Sequence, residues 1–181
     1  AVPALVHGLG DGETGVVVNA CFALGEIKES HASDALGRVL ESHRSAHARA
    51  AAAVALGKLA EKKSRDALMQ GLLDPSAMVR IRSLRAITAV SGTKSEMFID
   101  QMRGDGNRLV RAEAIECYGS AGLEKHTKEL VKIAQDDKDT WTLQTRPPPG
   151  VDVPNLDPDA VLEAWVGRPF ARQILVANPW V

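Results

Sequence analysis

Residues 72–88 read Leu-Leu-Asp-Pro-Ser-Ala-Met-Val-Arg-Ile-Arg-Ser-Leu-Arg-Ala-Ile-Thr, and this stretch decides the fold because its pattern recurs along the chain. It places Asp74 in a polar turn, Arg80 six residues later and Thr88 eight residues after the arginine. Sliding the chain against itself brings four such segments into register. The turn position is occupied by Asp11, His43, Asp74 and Asp105. Six residues later stand Val17, Arg49, Arg80 and Arg111. Eight residues after those stand Gly25, Gly57, Thr88 and Gly119. A repeat of 31 or 32 residues therefore organises the chain.

Each segment reads as two helices joined by a short polar turn. The first helix carries apolar residues at helical spacing, such as Leu36, Val39 and Leu40. The second helix is rich in small residues, as in the run Ala50-Ala-Ala-Ala-Val-Ala-Leu-Gly57. Small side chains let neighbouring helices approach closely, and a glycine near the helix end suits a close crossing or a left-handed cap. We therefore expect an all-α chain of stacked helical pairs.

The order Leu-x-Asp, Val-Arg and Ala-x-x-Ala-Leu-Gly at this period resembles the short HEAT repeats named after phycobilisome lyases. Met78-Val79-Arg80 and Leu109-Val110-Arg111-Ala112 match that pattern best. The resemblance implies a right-handed α-solenoid of four to five HEAT-type helical hairpins, with the second helices on its concave side. We expect this solenoid over residues 1–137, with units near 1–32, 33–64, 65–95 and 96–126 and a partial unit at 127–144. Such a scaffold serves many unrelated tasks, so it predicts architecture better than activity.

Composition narrows the classes of function. The chain has 181 residues, of which 45% are hydrophobic and 25% charged, which excludes wholesale disorder. Its net charge of -1 lacks the broad positive field that non-specific nucleic-acid binding needs. No apolar run approaches the length of a membrane span. We therefore predict a soluble protein that binds neither nucleic acid nor a membrane interior. Its compartment stays open: cytoplasmic, or exported if the first residue, an alanine, reflects signal removal.

The repeated aspartate and arginine suggest a structural role. An aspartate in the turn can cap the second helix, and the arginine can hold the carboxylate of its own or a neighbouring unit. We therefore predict an internal polar ladder of Asp11, Asp74, Asp105, Asp136, Arg49, Arg80 and Arg111. The alternative is an anion-binding face made by Arg80, Arg82, Arg85, Arg108 and Arg111. Residues 65–127 contain nine Lys or Arg and eight Asp or Glu, and this near-balance favours the ladder.

The two ends of the chain differ from the repeats. Residues 145–181 hold seven of the nine prolines and form an expected irregular C-terminal extension. A short helix is predicted to begin at Asp157-Pro158, with Leu162 and Trp165 at helical spacing. The extension either caps the last repeat or docks on another protein through Trp165, Phe170 and Trp180. At the other end, the first helix lacks a capping unit before it, so an upstream or partner neighbour is a further hypothesis.

No catalytic constellation is apparent. His43 and His47 have metal-like spacing but lack a third ligand, and His43 occupies the turn position that is aspartate elsewhere. Cys21 and Cys117 fall on second helices three units apart, too far for a disulfide, and they read as small core residues. Deoxyhypusine hydroxylase is a HEAT-repeat enzyme, but its iron-binding His-Glu dipeptides are absent. We predict no catalytic residues, no metal and no cofactor.

The sequence therefore favours a non-catalytic scaffold or accessory subunit that binds a protein partner within a larger complex. The partner would bind the second-helix side, where the candidate contacts are Arg82, Arg85 and Glu113, either alone or together with the C-terminal extension. The alternative implied by the resemblance is a bilin lyase-like or chromophore-handling subunit. Lyases of that family attach a tetrapyrrole to a cysteine of a partner protein.

Overall fold

The computed structural model describes residues 2–123, and this part of the chain is built from four helix–turn–helix units. The unit helices are α1 (Val2–Gly8) with α2 (Thr14–Glu26), α3 (Ser33–Ser42) with α4 (Ala46–Leu59), α5 (Arg65–Gly71) with α6 (Ala77–Ser91), and α7 (Glu96–Arg103) with α8 (Arg108–Ser120). Single 3-10 turns precede the later first helices, at Ser30–Ala32, Lys62–Ser64 and Gly92–Ser95. No strand occurs within this range. The partial fifth unit and the extension predicted at 145–181 lie outside the described residues.

The units stack side by side. Each second helix packs against its own first helix and against the second helix of the next unit, so that α2, α4, α6 and α8 form one continuous row. The first helices form the other row, where α3 contacts α5. Each unit thus buries its apolar flank mainly against its neighbours, as expected of a repeat architecture. The predicted all-α solenoid of helical hairpins is confirmed.

The core lies between the two rows. The first helices contribute large apolar side chains, and Leu36, Leu68 and Ile99 have no exposed surface. The second helices combine large buried side chains, such as Leu24, Leu56 and Ile87, with many small ones. In α4, seven residues are buried, and six of these are alanines. The small side chains let neighbouring second helices approach closely while the large ones fill the space between the rows. The composition that distinguishes first from second helices is therefore a packing requirement.

The repeated glycine marks a close helix crossing. A Cβ atom built on Gly57 would lie 2.8 Å from the Cβ and 3.0 Å from the Cα of Ala86, which belongs to the next second helix. Gly25 meets Ala55 in the same way, at 3.0 Å from its Cα. Of the two roles expected for this position, close crossing is the one that the structure shows. The left-handed conformation falls three residues later, for example at Ala60, whose φ is 54°.

Within residues 2–123, no helix is both long and apolar enough to cross a membrane.

Candidate functional site

The turn between the two helices has the same geometry in all four units. The side chain at the aspartate position accepts a hydrogen bond from the backbone N–H two residues later. The acceptors and distances are Asp11 at 2.8 Å, His43 at 3.0 Å, Asp74 at 2.8 Å and Asp105 at 2.7 Å. The residue therefore closes the turn just before the second helix and does not cap the helix itself. His43 substitutes for aspartate through its Nδ1 atom.

Arg49 and Arg80 each connect the turn of their own unit to the turn of the next unit. Arg49 binds both carboxylate oxygens of Asp74, at 2.6 and 2.9 Å, and donates to the carbonyl oxygen of His43 in its own turn at 2.8 Å. Arg80 binds Asp105 bidentately at 2.8 and 2.8 Å and donates to the Asp74 carbonyl at 2.8 Å. We call each such arginine–aspartate pair a rung. A bidentate guanidinium–carboxylate pair fixes orientation as well as distance, so each rung sets how one turn sits on the next.

Burial and hydrogen bonding act in opposite directions on the rung carboxylates. Burial tends to raise the pKa of Asp74, while hydrogen bonds from Arg49 and the Ser76 amide and the nearby positive charges lower it, with a net shift below the usual value. The same balance lowers the pKa of Asp105. The hydrogen bond to Asp74 raises the pKa of Arg49. Both rungs are therefore formed by charged partners.

The rung between the first two units is replaced at both positions. Val17 stands where the later units have arginine, and His43 stands where the next unit has aspartate. Val17 is fully buried. An arginine without a carboxylate, or the reverse, would leave a partly buried charge unpaired. The paired replacement avoids that cost.

The last arginine of the predicted ladder keeps the contacts to its own turn. Arg111 donates to the carbonyl oxygens of Asp105 at 3.1 Å and Gly106 at 3.4 Å, as its counterparts do in earlier units. Asp136, its predicted partner in the next unit, lies outside the described residues. Asp11 closes its turn through the Glu13 amide.

A second feature is the exposed side of the second helices. The positions of Asn19, Phe22 and Glu26 lie one helical turn apart and form a stripe on α2. We define this stripe and its equivalents on α4, α6 and α8 as the second-helix face. Ion pairs join neighbouring helices along it: Glu26 pairs with Lys58, and Arg85 pairs with Glu113 and, at 3.4 Å, with Glu116.

These pairs change the interpretation of two candidate partner contacts. Glu113 is only 7% exposed, and its carboxylate is held by Arg85. Arg85 is half-buried, and the hydrogen bond to Glu113 raises its pKa. Arg85 and Glu113 therefore join α6 to α8, and their contact with a partner stays a prediction. Sequence periodicity placed both on the right side of the stack but could not show that they meet.

Three further side chains of the second-helix face, Phe22, Val54 and Arg82, take part in none of these ion pairs. Phe22 is 42% exposed, and Val54, at the equivalent position of the next unit, is half-buried. Arg82 is exposed and forms no hydrogen bond or ion pair with the residues that the structure describes. Arg85 occupies the Phe22-equivalent position of its unit, and Glu113 occupies the Asn19-equivalent position of the next unit. Their ion pair shows that these two positions meet across neighbouring units. By the same relation, we expect Val54 to lie near Arg82.

The cysteines and histidines show no catalytic arrangement in the described part of the chain. Burial raises the pKa of both Cys21 and Cys117 to about 12, which disfavours the reactive thiolate. His47 is exposed, while His43 is committed to its turn. No group of three His, Cys, Asp or Glu side chains among residues 2–123 can hold a metal ion.

Sequence reasoning missed one polar cluster. Tyr118 is 1% exposed, and its hydroxyl accepts a hydrogen bond from Arg103 at 3.1 Å and donates one to Asp100. Burial is the main cause that raises the pKa of Tyr118 to about 12. The hydrogen bond from Arg103 lowers this pKa, and the hydrogen bond to Asp100 raises it. The cluster ties α7 to α8. Its only sequence signal was a tyrosine at a position that is leucine or isoleucine in the other units.

The predicted partner contacts Trp165, Phe170 and Trp180 lie outside the described residues.

Comparison with known proteins agrees with this geometry. Residues 2–88 match the family model described as HEAT repeats. No curated protein sequence matches the chain. Among solved structures, the chain is similar to one in the complex of CpcE and CpcF of phycocyanin lyase from Nostoc sp. PCC7120, with a TM-score of 0.63 and 20% sequence identity. That match covers 81% of this chain and 66% of the other, so this chain spans just under two thirds of its structural relative. At this identity the match establishes a common fold. Residues 2–88 of the chain therefore match HEAT repeats, and the structural likeness shows the fold.

Proposed function

We propose that this chain is a non-catalytic scaffold that binds a helix of a partner protein along its second-helix face. The observation that carries the proposal is the exposure of Phe22 and the partial exposure of Val54, at equivalent positions of the neighbouring helices α2 and α4. We call these two residues the apolar strip. Ion pairs join Glu26 to Lys58 and Arg85 to Glu113 elsewhere on the same face. An apolar strip between neighbouring helices is the surface that an amphipathic partner helix occupies. Arg82, at the end of this strip, offers a charge that can fix the orientation of the partner.

The other large apolar side chains that are exposed among residues 2–123 are Val16, Ile27, Leu73, Met97 and Leu109. Leu73 is 66% exposed in a turn, and Met97 is 65% exposed on α7, a first helix. Single exposed apolar side chains are common on protein surfaces and carry no functional signal. Met97 therefore serves as a matched control for Phe22.

The spacing of the units sets the size of the partner segment. Packed helices lie about 8–10 Å apart, so three second helices span about 20 Å. A helix rises about 1.5 Å per residue, so about 13 partner residues cover this distance. The partner helix would place apolar side chains over Phe22 and Val54 and a carboxylate near Arg82.

Paired affinity captures test the proposal. The intact chain is immobilised beside its Phe22→Asp and Met97→Asp variants, and captured proteins from the source cell are identified by mass spectrometry. A partner bound through the second-helix face is lost from Phe22→Asp, because removal of an interface aromatic costs about 2 kcal/mol or more, roughly thirtyfold in affinity. The same partner is retained by Met97→Asp. Equal retention by both variants would exclude this face as the binding surface.

One observation supports a second candidate function. The fold is shared with a chain from the phycocyanin lyase complex of CpcE and CpcF, which favours a lyase-like role in handling a tetrapyrrole. The buried thiols of Cys21 and Cys117 are poorly placed to carry the pigment, so an acceptor cysteine would belong to a partner. The test is incubation of the intact chain with an open-chain tetrapyrrole and a phycocyanin subunit. Pigment transfer that depends on the chain would support this function, whereas a stoichiometric colourless complex supports the scaffold.

A further inference from the structure

We infer that the second-helix face is also the docking site of this chain's own C-terminal residues 157–166, which compete there with a partner. We call these residues the acidic segment; they read Asp-Pro-Asp-Ala-Val-Leu-Glu-Ala-Trp-Val. The inference rests on the proposed function only in treating this face as a binding surface. Its occupant is a specified part of the same chain.

Charge complementarity supports this occupant. The acidic segment carries three carboxylates and no lysine or arginine. Arg82 is exposed and has no bonding partner among residues 2–123, whereas the neighbouring Arg85 is already held by two glutamates. A carboxylate that approaches this face therefore meets a single free cation, which lies at the boundary of the apolar strip.

Spacing along the segment matches spacing across the face. The sequence predicts a helix from Pro158, in which Asp159, Leu162 and Trp165 share one side at intervals of three residues. Asp159 and Trp165 are then about 9 Å apart along the helix axis. This equals one step of about 8–10 Å between neighbouring second helices. Asp159 can thus reach Arg82 on α6 while the indole of Trp165 covers Val54 on α4, with the far edge of the ring directed toward Phe22 on α2.

The connecting chain is long enough. Thirty-four positions separate Leu123, at the end of the described structure, from Asp157. Even a fully helical chain of that length is about 50 Å long, whereas three steps between second helices amount to about 30 Å. Because the segment is covalently attached, its docking is intramolecular, and a weak contact is enough to occupy the face.

Tryptophan fluorescence of the intact chain tests the inference. The tryptophans are Trp141, Trp165 and Trp180, so the double variant Trp141→Phe, Trp180→Phe leaves Trp165 as the single reporter. Docking predicts a blue-shifted emission and weaker acrylamide quenching than in the urea-unfolded chain, both unchanged on dilution. Arg82→Glu places like charges together and lowers the docked-to-undocked ratio at least about tenfold, so quenching increases.

Controls and rescue keep the test specific. Phe22→Ala is expected to act like Arg82→Glu, whereas Arg38→Glu, an exposed arginine on the first helix α3, leaves quenching unchanged. Combining Asp159→Arg with Arg82→Glu restores protection. Circular dichroism melts check that each variant is folded.

Three results would overturn the inference. Trp165 could be as accessible as in the unfolded chain, its protection could survive both Arg82→Glu and Phe22→Ala, or protection could disappear on dilution, which indicates a second copy as the occupant.

In the partner capture, Asp159→Arg should increase binding because it frees the face; decreased binding would show that the segment contacts the partner instead. None of the fluorescence results depends on a partner, so failure here is distinguishable from failure of the proposed function.

Discussion

Replacement of Arg80 by alanine should destabilise the chain more than any exposed substitution of similar size. The guanidinium makes two bonds of 2.8 Å to Asp105 and one of 2.8 Å to the Asp74 carbonyl. The two side chains of the rung are 16% and 9% exposed, so Arg80→Ala leaves a largely buried carboxylate unpaired. Breaking a fully buried pair costs about 3–5 kcal/mol. Because this pair keeps some solvent contact, we expect about 2–4 kcal/mol.

A double-mutant cycle separates the rung from its surroundings. Asp105→Asn preserves the acceptor for the Asn107 amide and removes the charge, at an expected cost of about 1–2 kcal/mol. The double variant should be less destabilised than the sum of the single variants, with a coupling of about 1–3 kcal/mol. The free energy of unfolding comes from urea titrations followed by far-ultraviolet circular dichroism. Arg38→Ala, on the exposed side of α3, is the control and should stay within about 0.5 kcal/mol of wild type.

The reasoning would be refuted by a coupling below about 0.5 kcal/mol, or by Arg80→Ala behaving like the control. Either result would mean that packing of small side chains alone holds the units together. A reduced denaturant dependence in Arg80→Ala alone would support the rung, because weaker coupling between units lets them unfold separately.

Three other predictions follow from the same contacts. Because folding lowers the pKa values of Asp74 and Asp105, their contribution to stability is complete only well above the unfolded-state pKa of 3.8, and it is lost as the pH falls through their folded-state values. Urea titrations at several acidic pH values should show a steep loss of stability that Arg80→Ala reduces. Gly57→Ala should lower the free energy of unfolding by about 1–3 kcal/mol, because its Cβ would lie 2.8 Å from that of Ala86. The control Gly15→Ala, whose Cβ would meet nothing within 4 Å, should be neutral or stabilising by up to about 1 kcal/mol. Thermal melts compare the two variants. A thiol reagent should modify the two cysteines only as the chain unfolds, and rapid labelling of the native protein would contradict their burial.

The repeat could be read from the sequence because it imposes the same requirements four times. The small second-helix residues and the turn acceptor recur at fixed spacing, so their roles follow from periodicity and elementary packing. Periodicity left open whether Arg49 and Arg80 bind their own unit or a neighbour. The structure shows both: the carbonyl belongs to their own turn and the carboxylate to the next.

Features that occur once were harder to predict. Arg85 and Glu113 are 28 residues apart, close to the repeat length but three positions off the equivalent site, so their pairing depends on the offset between neighbouring helices. The Tyr118 cluster is likewise unique to one unit. The exposed Phe22 stood out only after the structure showed which side of α2 remains uncovered. Side-chain pairing across units depends on helix offset, which a single repeat pattern does not encode.

Hydrogen–deuterium exchange of the intact chain, with and without its captured partner, tests the proposed function most directly. Binding along the second-helix face predicts increased protection in peptides from α2 and α4, with α1 and α3 unchanged. Protection confined to the first helices, or none in the region around Phe22, would contradict the account.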